Sequence, residues 1–272
     1  MTTLAASTRR AARGPLVASA AHLGLATRGV LYLVIAWLAG SIALGHTRQQ
    51  ANQKGAIATL AGHRGGSVTL WILGLGLAAY SFWRLTEAVV GTAAEGRKLG
   101  PRVQSLVRAL SYAAFAVIAF QFVLGAHGQG QDQQQQSATA RLIRHPSGRL
   151  LVGAIGVVVV AIGLWMIADG LRKRFVRELR VQELPRSTRE LVIVLGVVGN
   201  TARGAVFALA GWLALDAAMT SHPDKSAGLD GALRTLANRP YGPLLLLAVA
   251  AGLFAFGLYG LAAARWAKVQ PR

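Results

Sequence analysis

An apolar two-helix unit occurs three times along this chain, and an arginine sits early in each copy: Arg28 in ATRGVLY, Arg108 in LVRALSY and Arg203 in TARGAVF. Self-similarity of this kind constrains the fold more than any local propensity. Each repeat is one supersecondary unit that must bury its apolar face against its neighbours. With an offset of 80, Tyr32 falls on Tyr112, Leu44 on Leu124 and Gly45 on Gly125. With an offset of 175, Gly29 falls on Gly204, Tyr32 on Phe207 and Trp37 on Trp212. The second helices follow suit: Gly66, Gly148 and Gly242 are related by offsets of 82 and 176, as are Leu60, Leu142 and Leu236.

Six apolar stretches carry the repeats, at 23–45, 67–90, 104–125, 150–171, 191–219 and 241–264. Each is close to or longer than the roughly 20 residues that cross a hydrocarbon core about 30 Å thick. The third reads as the weakest, because Ser105, Arg108 and Gln121 interrupt it. Only 14% of the 272 residues are charged, against roughly 25% in soluble domains. The expected fold is therefore an all-α integral membrane protein with six transmembrane helices.

Lysine and arginine number 29 against 10 acids, a net charge of +19. In a soluble chain that excess would suggest nucleic acid; here it sets topology and attracts anionic lipid headgroups, and no nucleic-acid partner is expected. Sixteen of the basic residues flank the N-terminal tail, the loops after helices 2 and 4 and the C-terminal tail, against nine in the other loops. The positive-inside rule places both termini in the cytoplasm, with the chain in the plasma membrane. The run TRRAARG reads as a retained tail. The units run 1–22 (basic tail), 23–96, 97–180 and 181–272. A two-helix unit crosses and returns, so the copies are parallel, which suggests three helical hairpins around a pseudo-threefold axis. Gly74, Gly76, Gly153, Gly156, Gly196, Gly199, Gly252 and Gly257 suit close helix packing.

The outer loops hold GAIATLAGHRGG, SATARLIRHPSG and GALRTLANRPYG. Each is spaced for one short amphipathic helix at the membrane surface and ends on a Pro/Gly stop. GQGQDQQQQS is of low complexity. The basic linker LRKRFVRELRVQELPRSTRE reads as an interfacial helix attracted to anionic lipid, or as a docking surface for a cytosolic protein partner.

The pattern Arg-Gly-x-[Val/Leu]-[Tyr/Phe], present as Arg28-Gly29-Val30-Leu31-Tyr32 and Arg203-Gly204-Ala205-Val206-Phe207, resembles a bacterial family of uncharacterised membrane proteins common in actinobacteria, domain of unknown function 1206. The middle copy departs, with Ala109 in place of the glycine. The resemblance covers nearly everything after the first 20 residues. It implies three tandem two-helix units and brings no established activity.

Charges within the spans are functional candidates by default, since each costs roughly 2.5–3.5 kcal/mol at the bilayer centre on insertion scales. Arg28 lies about 25 Å of helix from Gly45, near the cytoplasmic boundary, and Arg108 is equivalent. Arg203 follows the apolar run LVIVLGVVG, so it is either deeper or preceded by a helix along the interface. Glu87 and Asp169 align by the offset of 82 at a similar level, and Arg84 shares a helical face with Glu87. Two readings stay open. The arginines snorkel to lipid phosphates or pair with Glu87 and Asp169 in an ionic belt that fixes packing. Alternatively they form a ring, with Tyr32 and Tyr112 on the same helical faces, that attracts an anion or a lipid headgroup. A proton relay through Glu87 or Asp169 is the less favoured third. His46, His63, His127, His145 and His222 fall on the outer side and are weak metal candidates, because no ligand-spaced pair occurs among them. No nucleotide-binding or nucleophile motif appears, and with no cysteine there is no thiolate chemistry. The expectation is a non-enzyme without a cofactor, with a structural or partner- and lipid-binding role. The competing class is a small transporter or channel whose arginines line an anion or lipid pathway.

Overall fold

A computed structural model describes residues 14–46, 50–62, 65–91, 98–125, 137–142, 145–220, 229–238 and 240–269. These form long helices α1 (Pro15–Ala43), α3 (Gly66–Val90), α4 (Leu99–Val123), α6 (Pro146–Leu171), α7 (Arg186–Thr220) and α9 (Gly242–Trp266). Short helices α2 (Gln53–Ala61), α5 (137–142) and α8 (Leu229–Ala237) join the two long helices of each unit. All six long helices have the length and apolarity of membrane spans, and the chain is a multi-pass membrane protein. Large apolar side chains such as Trp37, Ile72, Val158, Trp165 and Leu244 point outward, as a lipid solvent allows.

Several boundaries differ from the sequence reading. α1 starts at Pro15 instead of residue 23, so residues 15–22 of the expected tail are helix; proline is suited to the first helical position, where its missing N–H costs nothing. α7 is one continuous helix of 35 residues, about 52 Å long. No separate interfacial helix precedes Arg203; the apolar run before it continues the span. Over its whole length α4 is less apolar than α3, as the interruptions at Ser105, Arg108 and Gln121 suggest, yet its most apolar window, with a mean hydropathy of 1.8, exceeds the 1.3 of α3.

The helices pack in the order α4, α3, α1, α9, α7, α6. The closest pairs join different units: α3 with α4, α6 with α7 and α9 with α1. In each, the second helix of one unit lies against the first helix of the next, and the last unit returns to the first. The units themselves are less tightly paired. α1 contacts α3 and α7 contacts α9, but the two long helices of the middle unit, α4 and α6, do not pack along each other. Three self-contained hairpins are thus not what forms, and the ring stays open between α4 and α6. In the most apolar window of α1 56% of residues are buried, against 22% in those of α4 and α6, which puts α1 at the centre.

Small residues explain the close pairs. A Cβ on Gly29 would lie 2.9 Å from the Gly257 carbonyl oxygen, and one on Gly204 would lie 2.7 Å from that of Gly163. At the equivalent crossing Ala109 replaces the glycine, and its carbonyl accepts a hydrogen bond from Ser81 Oγ at 2.7 Å. Gly257, Gly163 and Ser81 are themselves related by the offsets of the second helices. The glycine after the arginine therefore serves backbone approach to the neighbouring unit, the main source of helix association where lipid removes the hydrophobic drive. Gly66, Gly148 and Gly242 share another contact: a Cβ on any of them would overlap a carbonyl at the end of the preceding short helix, that of Ala61, Leu142 or Ala237.

The short helices do more than lie on a surface. In α2, Ala56 and Ile57 are fully buried, and Asn52 caps the helix by accepting from the Gly55 N–H at 2.8 Å. Asp230 of α8 accepts from the Ala51 N–H at 2.7 Å and from Arg234 Nε at 2.8 Å. This joins the third unit to the first at the end opposite the linker. The linker is not an interfacial α-helix. It forms two 3-10 turns, Arg174–Glu178 and Val181–Glu183. Its backbone is tied to the C-terminal segment by an antiparallel bridge between Leu179 and Ala267, with Arg180 N–H donating to the Trp266 carbonyl at 2.8 Å and Lys268 N–H to the Glu178 carbonyl at 2.7 Å. Pairing of the backbone with that segment replaces the helical hydrogen bonds, and Pro185 bars continuation into α7.

Candidate functional site

Helical rise brings the arginines to one level. Arg28, Arg108 and Arg203 stand 15, 15 and 17 residues before the far ends of α1, α4 and α7, a common level about 22–26 Å from those ends. The close crossings turn this face of each helix toward a neighbouring unit, where the second helices supply aromatic rings. Tyr112 meets Tyr80 edge-on at 4.5 Å, and Tyr32 meets Phe256 edge-on at 4.6 Å. Tyr80 and Phe256 are related by the offset of 176.

The guanidiniums sit on these rings. Arg28, only 8% exposed, has its Cζ 5.0 Å from the Phe256 centroid and 5.7 Å from that of Tyr80. Its Nη1 donates to the Tyr80 hydroxyl at 3.0 Å. Arg203 lies 5.1 Å from the same Phe256 centroid, 5.1 Å from Phe207 and 5.4 Å from Tyr32. Arg84 stacks on Trp83 at 4.1 Å, donates through Nε to the Tyr80 hydroxyl at 3.0 Å and pairs through Nη1 with Glu87 Oε2 at 2.6 Å. Ser105 Oγ of the second unit donates to the same carboxylate oxygen at 3.1 Å. Arg108 is half-buried and within electrostatic reach of Arg84, Tyr80, Glu178 and Arg28.

This differs from the pairing expected between the repeat arginines and Glu87 or Asp169. Arg84 claims Glu87, because the two share one face of α3 a turn apart. Among the described residues no carboxylate stands within ion-pair distance of Arg28, Arg108 or Arg203. Asp169, half-buried, has a partner of its own and lies within electrostatic reach of Tyr259. Arg28 and Arg203 are not turned outward to phosphates either: they are held by aromatic faces, a favourable pairing of cation and ring quadrupole that strengthens when desolvated. Arg28 and Arg203 flank one ring, so their charges are at most about 10 Å apart. At an effective dielectric constant of about 20 that is a repulsion of at least about 1.7 kcal/mol.

The reading of the sequence missed Tyr80, Phe256, Trp83, Tyr259 and Glu178. The repeat offset applied to the second helices marks Tyr80 and Phe256 as equivalent aromatics. Trp83 and Tyr259 carry no such mark, and Glu178 is brought in by the linker.

A cavity adjoins the cluster at the linker side, with about 30 Å³ open to the centres of water molecules. Arg28, Trp83, Arg84, Glu178 and Tyr259 supply its polar lining. Arg28 Nε and Trp83 Nε1 are buried donors without a hydrogen-bond partner. On the opposite end, His46 and His145 are described, whereas His63, His127 and His222 lie outside the described residues. Among the described residues no three metal-ligating side chains gather.

Comparison with known proteins agrees with the repeat geometry. The family described as Domain of Unknown Function (DUF1206) matches three stretches, 23–91, 103–173 and 198–267, each inside one of the units read from the repeats. The chain is also similar to the uncharacterized protein YxxB of Bacillus subtilis (strain 168), with 30% identity over 250 residues that span 91% of this chain and 90% of that protein. No solved structure matches it.

Proposed function

The chain belongs to the family Domain of Unknown Function (DUF1206), and from that premise we propose that it is a membrane scaffold with a lipid- or partner-binding face. An arginine–aromatic belt locks its three repeats together. The observation that carries this reading is the distribution of the belt. Within the first unit Arg28 and Arg84 donate to the Tyr80 hydroxyl and Arg84 pairs with Glu87, which also accepts from Ser105 of the second unit, while Arg28 stacks on Phe256 of the third. Arg203 of the third unit stacks on Tyr32 of the first. Every unit contributes a polar or charged side chain that another unit satisfies.

The magnitudes favour a structural role for the buried charges. A hydrogen bond from a charged donor contributes about 1.5–3 kcal/mol, and a desolvated cation–ring contact about 2 kcal/mol. Arg28 makes one of the former and two of the latter, which offset its desolvation and the repulsion from Arg203 and Arg84. In nanodiscs Arg28→Gln is expected to lower the stability of the bundle by about 2 kcal/mol, read as a lower thermal midpoint, while anion flux in proteoliposomes stays at the level of empty vesicles for both proteins. An unchanged midpoint sinks the belt; flux that the wild type supports and the variant loses favours the transporter instead.

The partner-binding face is the basic linker. Arg172, Lys173, Arg174, Arg177, Arg180, Arg186 and Arg189 are all exposed, and each basic group near an anionic leaflet contributes about 1 kcal/mol. With both termini on that side, the excess of basic residues supports a cytoplasmic orientation in the bacterial plasma membrane. The role is non-catalytic and needs no cofactor.

A further inference from the structure

We propose that the cavity beneath the linker is a binding site for a small monovalent anion of about the size of chloride, held by the Arg28 Nε–H and the Trp83 Nε1–H. The inference rests on the belt only for the placement of Arg28 and goes beyond it, since a purely structural belt needs no ligand.

Three observations carry it. First, Arg28 and Trp83 are 8% and 4% exposed, both line the cavity, and each leaves one N–H without a partner. Buried donors are satisfied in the great majority of cases, by protein or by a bound group, and a charged donor gains most from an anion. Second, positive charge is concentrated here: Arg28 and Arg203 flank Phe256 and Arg84 stands on Trp83, while Glu87 is already engaged by Arg84 and Ser105, which favours an anion as the ligand. Third, the volume is small. One water needs roughly 10–15 Å³, so a cavity with about 30 Å³ open to water centres has room for a monatomic anion.

The enclosure is specific. Leu179 and Ala267, the two residues of the antiparallel bridge, line the cavity, so the linker and the C-terminal segment cover it from the basic end. Glu178, exposed, also lines the cavity; its carboxylate opposes any anion there, so the attraction comes from the arginines and the two free donors.

The test uses the full-length protein in nanodiscs, titrated with sodium chloride or sodium bromide against sodium gluconate at constant ionic strength. A saturable rise of the unfolding midpoint with either halide, but not with gluconate, is expected. Trp83→Phe keeps a ring beneath Arg84 and removes the donor; it should weaken the apparent halide affinity about tenfold. Crystals of the wild type grown in bromide should show an anomalous peak within hydrogen-bond distance of Arg28 Nε and Trp83 Nε1, which decides the matter even if the variant fails to fold. Equal midpoints in halide and gluconate, a halide effect that Trp83→Phe leaves intact, or no bromide at this position overturns the proposal and leaves the cavity to water. The belt is judged separately, because Arg28→Gln should lower the midpoint in gluconate as well.

Discussion

Arginine is expensive inside a membrane, and the repeats solve the problem with rings more than with acids. Arg28 and Arg203 share Phe256, and Tyr80 offers one hydroxyl to Arg28 and Arg84. A single carboxylate, Glu87, serves Arg84 and Ser105. The glycine beside the arginine has an equally definite duty. Gly29→Leu would drive a side chain into the Gly257 carbonyl and the Leu261 N–H, 2.9 and 3.0 Å from its Cβ, and should destabilise the bundle by about 1–3 kcal/mol or more. Gly40, on the same helix, has nothing within 4 Å; Gly40→Ala should leave stability unchanged or raise it by up to about 1 kcal/mol. Thermal midpoints of the two variants in the same nanodiscs check the contrast, and equal shifts would refute the close-approach argument. The arginines and Glu87 were legible in the sequence because charges stand out in apolar runs. Arg84 beside Glu87 and the candidate Tyr32 were legible too; Tyr80, Trp83 and Phe256 were not, because an aromatic residue in a membrane span is ordinary until a neighbouring helix brings a cation to it.

Among the elements, the linker departs furthest from its local signal. Its alternating charged and apolar residues read as an amphipathic helix. The fold instead ties Leu179 to Ala267 and buries Phe175 against Tyr259, ring centroids 5.2 Å apart. A bridge of this kind sets Cα atoms about 4.5–5.5 Å apart, within the range a disulfide spans. The chain has no cysteine, so the double substitution Leu179→Cys with Ala267→Cys should oxidise to an intramolecular cross-link. The product should migrate faster on a non-reducing gel, and cysteines that stay free after oxidation would show that the linker does not pair with the C-terminal segment. The long helices were placed to within a few residues at most ends. The start of α1 was missed by eight residues: Pro15–His22 is mostly small and apolar, and the burial of Val17 and Ala21 sustains it as helix.

For the molecule as a whole, the repeats join through neighbours more than through their own hairpins. α9 returning to α1, and Asp230 holding Ala51 at the far end, close the chain from its third unit to its first. The orientation read from basic residues makes a direct prediction. His145 is exposed beyond the far ends and Arg177 on the linker side. In intact cells a membrane-impermeant maleimide should label His145→Cys, and label Arg177→Cys only after permeabilisation. The reverse pattern would invert the topology.

By itself the sequence determined the number of spans, the three-unit organisation, the short helices between spans and the level of the arginines, because these follow from hydropathy, offset and helical rise, all of which are local or periodic. Tertiary structure decided what the arginines face, which acid pairs with which base, and that the middle unit opens while its helices pack on other units. Those outcomes turn on backbone approach at Gly29, Gly204 and Ser81 and on rings supplied by another repeat. They depend on which surfaces fit most closely in three dimensions, and no span carries that information alone.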